Sequence, residues 1–209
     1  MLSLLEIEET RHAAGYEWIC GVDEAGRGPL AGPVCAAAVI LPRGLDIAGL
    51  DDSKKLSDRR RRELYDVITG AAAAYAIALV DQERIDEINI LQATFRAMEE
   101  AVAKLSPQPD LALVDGNREP VLSMPCETIV GGDGKCASIA AASILAKVTR
   151  DRLMEELDRQ YPEYGFAVHK GYGTRRHYEA LRQYGPCPIH RQSFLKKFYA
   201  RQQSAGPVG

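Results

Sequence analysis

The sequence predicts an α/β fold, a mixed sheet with helices on both faces and a helical extension at the C-terminal end. Three observations predict it. Strand-length apolar runs come first, at Trp18 to Val22 and Val34 to Leu41. Strand-like and helix-like periods then alternate. After Tyr161 only short helical patterns remain, broken by Pro186 and Pro188.

Taken in order, the first run ends at Asp23-Glu24 and a glycine turn, and the second, deeply apolar, closes at Pro42. Ser57 can cap a helix to about Thr69 with Leu64, Val67 and Ile68 on one face. Ala74 to Val80 reads as a third strand. From Asp81 to Leu105, Ile85, Ile88, Leu91, Phe95, Met98 and Val102 recur at helical steps. Leu111 to Val114 is a short strand running into Asp115-Gly116. Glu127 to Val130 is another, ending at Gly131-Gly132-Asp133-Gly134. A long helix spans Cys136 to Arg159, and Ala140, Ala141 and Ala142 let it pack close to a sheet. Helices follow at Thr174 to Gln183 and up to about Tyr199, with a frayed tail after Gln203. There is no internal repeat and no low-complexity linker.

The 209 residues, 46% apolar and 26% charged, suffice for one α/β domain with a real core. The net charge of −3 argues against binding of nucleic acid by bulk charge, but the charge is uneven. Residues 1–146 hold 14 Lys+Arg against 23 Asp+Glu, and residues 147–209 hold 12 against 6. An acidic body with a basic C-terminal third suits a carboxylate site beside a phosphate-binding surface; scattered solvated charge gives the same count. The five cysteines are odd in number and form no C-x-x-C pair, so reduced thiols in a cytoplasmic protein are expected, without disulfides or zinc. Met1 to Thr10 is acidic and lacks the apolar core of a signal peptide, and no apolar run reaches membrane-spanning length.

Three carboxylate positions stand beside glycine at strand or loop ends: Asp23-Glu24, Asp115 and Asp133. In open α/β sheets, sites are built at strand ends. Four converging acids repel one another unless a cation sits between them, and hard cations such as Mg²⁺ take oxygen ligands. Two divalent ions in such a nest suit in-line phosphodiester cleavage. Asp115-Gly116 is also an ordinary turn pair, and Asp133 could simply lie in a loop. Asp23-Glu24 is harder to dismiss, because neighbouring residues of an extended chain point to opposite faces and one of them must face inward.

Gly26-Arg27-Gly28-Pro29 lets backbone amides approach a ligand closely, or makes a plain turn. Asp52-Ser53-Lys54-Lys55 offers a hydroxyl and two ammonium groups for phosphates, or a solvated start to a helix. Arg59 to Arg62 reads as a solvated helical face. Ser143, Lys147 and Arg150 share one helical stripe, and Lys147 is the one charge between Lys135 and Arg150. Tyr172, between Gly171 and Gly173, could stack on a sugar or base, or pack on the core. His169, His177 and His190 are too scattered along the chain to assign.

These segments together resemble the ribonuclease HII family, in its bacterial form. Gly21-Val22-Asp23-Glu24-Ala25-Gly26-Arg27-Gly28-Pro29-Leu30-Ala31-Gly32-Pro33-Val34 looks like its signature. The later blocks come in the right order: Asp52 to Leu56, Val114 to Asn117, Gly132-Asp133 with Ser138 to Ile144 and Ala146 to Val148, Gly171 to Thr174, and His190-Arg191 before Ser193-Phe194. The match covers roughly residues 16–200. It implies a ribonuclease H-like mixed five-stranded sheet flanked by helices, with a catalytic domain over 1–160 and a C-terminal helical extension over 161–209. Carried over by position, Asp23, Glu24, Asp115 and Asp133 are expected to bind two Mg²⁺ or Mn²⁺ ions. Gly26, Arg27 and Gly28 are expected to read the ribose 2′-hydroxyl, Tyr172 to stack on the sugar next to the junction, and Ser53, Lys54 and Lys147 to hold phosphates.

The implied substrates are RNA/DNA hybrids and duplex DNA with embedded ribonucleotides, cut on the 5′ side of the ribonucleotide to leave a 3′-hydroxyl and a 5′-phosphate. A monomer is expected. Gly131 stands where relatives often carry a lysine, and the tail after Tyr199 has no Gln-x-x-hydrophobic-x-x-aromatic-aromatic motif for a sliding clamp. The related type 3 family typically adds an N-terminal substrate-binding domain, for which the residues before the first strand leave no room.

Overall fold

A computed structural model describes residues 4–204 of the chain. Its five strands are β1 (Ile19–Ala25), β2 (Val34–Ile40), β3 (Ala74–Val80), β4 (Leu111–Asp115) and β5 (Cys126–Ile129), in sheet order β3-β2-β1-β4-β5. β1 pairs antiparallel with β2, and β2 with β3, whereas β4 runs parallel to β1 and β5 parallel to β4. The sheet is therefore mixed and five-stranded, as expected.

The helices are α1 (Glu6–Ala13), α2 (Asp58–Ala71), α3 (Gln82–Ala103), α4 (Ala137–Gln160), α5 (Phe166–His169), α6 (Arg175–Tyr184) and α7 (Gln192–Ser204). α3 packs on β1, β2 and β3, and α4 covers the other face with α2 against it. All seven residues of β2 are buried because both its faces are covered. Even-numbered residues such as Val34, Ala36 and Ala38 meet Ala93, Ala97 and Met98 of α3. Odd-numbered Cys35, Ala37 and Val39 meet Ala141, Ile144 and Leu145 of α4. Small side chains let α4 sit close: a Cβ on Gly21 would stand 2.2 Å from the Ser138 carbonyl carbon.

Several expectations need correction. β1 does not end before Asp23-Glu24 but continues to Ala25, because its pairing with β2 runs on to Cys35. Val67 is exposed rather than packed with Leu64 and Ile68. The long helical period of α3 hides a break: Asn89 takes φ 67° and ψ 163°, and its Oδ1 accepts from the Leu91 and Gln92 amides. A side chain capping a second helical segment explains how apolar spacing survives the kink. α1 and the single turn α5 are elements the sequence reading lacks, and α7 extends past Tyr199 to Ser204. Residues 205–209 of the expected frayed tail lie outside the described residues.

The segments after Tyr161 pack through Phe166, Leu181 and Leu195 on Leu30 and Ala31 of the loop after β1 and on Met154 of α4. No described helix is long and apolar enough to cross a membrane.

Candidate active site

Because β1, β4 and β5 run parallel, their C-terminal ends lie along one edge of the sheet. Asp23 and Glu24 lie near the end of β1, Asp115 closes β4, and Asp133 sits in a single 3₁₀ turn, Gly132–Gly134, after β5. Gly131 enters that turn left-handed, at φ 64°. The Gly132 amide donates to Asp115 Oδ1 at 2.7 Å, which ties the turn to β4. A side chain at Gly132 would collide with Ile139, its Cβ falling 2.7 Å from Cδ1.

The acids crowd one another. Asp23 is 4% exposed and Asp133 5%. Burial, then Glu24 and Asp115, pushes the Asp23 carboxyl well above the usual carboxylate range. Burial also raises Glu24, opposed by Arg27, and raises Asp133, opposed by Lys54. Cations already lean on the nest: Arg27 Nη1 lies 3.4 Å from Glu24 Oε1, and Lys54 Nζ 3.3 Å from Asp133 Oδ2. The Glu24 amide donates to Asp23 Oδ1 at 2.6 Å. Among the described residues no three or more His, Cys, Asp or Glu side chains form a ready-made ion cage. An all-oxygen donor set, buried and held by amides and two cationic side chains, fits hard divalent ions rather than zinc.

Beside the acids, two buried arginines lie against the segment that begins with Gly26 to Gly28, Arg191 bonded to that loop and Arg150 to the residues after it. Arg191, 0% exposed, donates to the carbonyls of Gly26 at 2.6 Å, Arg27 at 3.0 Å and Gly32 at 2.9 Å. Arg150 donates to Pro33 and Lys170 at 2.9 Å and to Ala31 at 3.1 Å. Gly26 has φ +97° and lies against Arg150, so only glycine fits there. The Arg27 and Gly28 amides donate to no described group. Tyr172 is 45% exposed, and its ring faces the same space: a Cβ on Gly28 would be 3.5 Å from Tyr172 Cε1.

The other sequence candidates fall in two groups. Lys54 joins the site. Ser53 is buried, and its hydroxyl takes a hydrogen bond from Ser143 Oγ at 2.7 Å. Lys147 pairs with Asp151 at 2.8 Å on its own helix. Arg61 is not part of a solvated face but turns back onto the carbonyls of Ser53 and Leu56, fastening the Lys54 loop. The three histidines, scattered in sequence, are gathered and buried in the fold. The sequence reading did not foresee how Arg191 is used. Its carbonyl partners lie 159 to 165 residues away, beyond any local pattern.

A mixed five-stranded sheet with carboxylates gathered where its parallel strands end is the architecture of a ribonuclease H-like nuclease. Comparison with known proteins narrows this. The profile described as Ribonuclease HII matches residues 20–197. Ribonuclease HII of Acetivibrio thermocellus is 54% identical over 197 residues, covering 94% of this chain and 77% of that protein. Ribonuclease HII of Endomicrobium trichonymphae is 56% identical over 193 residues, covering 92% of each. Among solved structures, ribonuclease H2 from Pyrococcus horikoshii superposes with a TM-score of 0.74 at 30% identity, over 90% of this chain and 99% of that one. The chain belongs to the ribonuclease HII family. It is accordingly a metal-dependent endoribonuclease, a hydrolase acting on RNA/DNA hybrids.

Proposed function

We propose that the chain cuts the phosphodiester on the 5′ side of a ribonucleotide, in RNA/DNA hybrids and at ribonucleotides embedded in duplex DNA. The products carry a 3′-hydroxyl and a 5′-phosphate. Asp23, Glu24, Asp115 and Asp133 would hold two Mg²⁺ or Mn²⁺ ions, which when bound supply an activated water and charge stabilisation at the leaving oxygen.

The chain's own residues provide the selectivity. The observation that carries this reading is the approach of Tyr172 to Gly28 beside the acids. DNA and RNA differ at the attacked step by one hydroxyl, so a selective site must contact that group. The unused amides of Arg27 and Gly28 are donors for it, held in place because Arg191 occupies the carbonyls of Gly26 and Arg27. The half-exposed Tyr172 ring stacks on the neighbouring sugar and draws the junction toward the acids. Lys54 is positioned to meet a phosphate in place of Asp133. Ser53 and Lys147 can do so by leaving Ser143 and Asp151 respectively.

The test is cleavage of both substrate types across Mg²⁺ and Mn²⁺ titrations, with the product ends identified. A 3′-hydroxyl and a 5′-phosphate support the reading. A 2′,3′-cyclic phosphate would replace it with attack by the 2′-hydroxyl itself.

A further inference from the structure

Three buried histidines lie beneath Tyr172 and take no part in the mechanism above. His177 Nδ1 is 2.9 Å from the Tyr172 carbonyl oxygen, and its Nε2 is 2.9 Å from His190 Nε2. His190 Nδ1 faces the Cys187 amide at 2.9 Å. His169 stacks on His177, ring centroids 4.5 Å apart, and receives the Gly171 amide on Nδ1 at 3.2 Å. Its Nε2 lies 2.8 Å from the Tyr164 carbonyl.

His190 Nδ1 also lies 3.1 Å from Cys187 Sγ and 3.2 Å from the Cys187 carbonyl oxygen, and one arrangement of protons satisfies all of these contacts except that to the carbonyl. A carbonyl only accepts, so His177 carries its proton on Nδ1 and donates to Tyr172. Its bare Nε2 then accepts from His190 Nε2–H, which leaves His190 Nδ1 bare to accept from Cys187. The result is a directed chain from the Cys187 amide through His190 and His177 to the Tyr172 carbonyl. Burial depresses His177 and His190 to about 4, so both rings are neutral near pH 7, as the chain requires.

The next residue along, Arg191, grips the carbonyls of Gly26 and Arg27. His190 itself bridges to Ala31, and the Arg191 amide donates to Leu30 at 2.9 Å. Two adjacent residues therefore reach both walls of the space between Tyr172 and the glycine loop.

We propose that the His177–His190 chain and Arg191 form a positioning device that sets the gap between Tyr172 and the Gly26 to Gly28 loop, and with it selectivity for a ribonucleotide. The proposal rests on the function proposed above. Buried histidines that merely fill the core would have no reason to end on the backbone of the half-exposed Tyr172, whose ring faces that loop.

The test uses His177→Phe, which keeps a ring in the space but removes both nitrogens, on a duplex with one embedded ribonucleotide. The kcat is expected to fall about tenfold with little change in KM, as for loss of one hydrogen bond that matters at the reacting geometry. His177→Asn, whose amide can still donate to Tyr172, should recover most of that loss. Adding His177→Phe to Tyr172→Ala should cost little more than Tyr172→Ala alone, because the histidine acts through the tyrosine. Losses that multiply, or no rescue by asparagine, would overturn the proposal in favour of core packing.

Should His177→Phe fail to fold, imidazole nitrogen shifts of the unmodified protein decide. Protons on His177 Nδ1 and His190 Nε2 support the chain, and the opposite tautomer at either ring overturns it. If the unmodified protein does not cut this duplex, the proposed function falls. If it does and His177→Phe matches it, only the positioning device falls.

Discussion

Lys54 places its ammonium 3.3 Å from Asp133 Oδ2, a mostly exposed cation meeting an acid that is 5% exposed. The lysine arrives from the loop before α2 and the acid from the turn before α4, so the pair ties these two segments together. Under the proposed function, this exposed positive charge stands where a phosphate would approach.

Lys54→Ala should leave stability within about 1 kcal/mol, as usual for an exposed partner. Its effect should appear in binding instead. The slope of log affinity against log salt is expected to drop by about one counterion on a hybrid duplex. An unchanged slope, measured by fluorescence anisotropy over a salt series, would remove Lys54 from the phosphate contacts.

Asp23→Asn should nearly abolish cleavage yet stabilise the metal-free protein. The folded state raises the Asp23 pKa, so at pH 7 its charge opposes folding. That penalty is largest above the folded pKa and vanishes below the unfolded value of 3.8. Removing the charge should raise Tm by about 3 °C, on the order of 1 kcal/mol, in calorimetry at pH 7 without divalent ions. A lower Tm would mean that the carboxylate is held by more than repulsion.

The histidine chain has the opposite pH signature. Burial depresses His177 and His190 to about 4 in the folded chain, against an ordinary value of 6.5, so the unfolded chain takes up protons first. Their contribution is complete above about pH 6.5 and is lost as pH falls toward 4, on the order of 3 kcal/mol for one such ring. Urea unfolding between those values should therefore show a flatter pH dependence for His177→Phe than for the unmodified protein. Parallel curves would contradict burial of a neutral imidazole.

Gly26 and Gly28 should separate stability from selectivity. Gly26→Ala puts a Cβ 2.1 Å from Arg150 Nε at φ +97°, and should cost about 3 kcal/mol in urea unfolding. Gly28→Ala meets only Tyr172 Cε1 at 3.5 Å and should fold normally, while cutting the embedded ribonucleotide more slowly. Equal stability of the two variants would contradict the clamp on the loop.

What was legible in the sequence follows from how local each signal is. The apolar run Ala74 to Val80 became β3 with those bounds, and Ser57 caps its helix as its position suggested, whereas Thr174, read only as the start of a helix, is found to cap it. Acid and glycine neighbours marked the ends of β4 and β5 for the same reason. Where a partner lies far along the chain, the signal disappears. Nothing near Asp23 says that β1 continues to Ala25, because Cys35 to Ala37 decide it. Arg191 and the three histidines carry no periodicity, yet the fold buries them under the glycine loop and Tyr172. Asn89 shows the converse, a break hidden within an unbroken apolar rhythm.

Sensing of a single 2′-hydroxyl is what would set this site apart from that of a general nuclease. The direct measurement is single-turnover cleavage of two matched DNA duplexes that differ at one position, ribose against deoxyribose, by the unmodified protein, Tyr172→Phe and Tyr172→Ala. One cut is expected, immediately 5′ of the ribonucleotide, and none in the all-DNA duplex. Tyr172→Phe, whose ring survives, should cut at near-normal rates, and Tyr172→Ala should lose more in rate than in duplex affinity. Cleavage of both duplexes alike, or equal rates for Tyr172→Ala and the unmodified protein, would contradict such sensing.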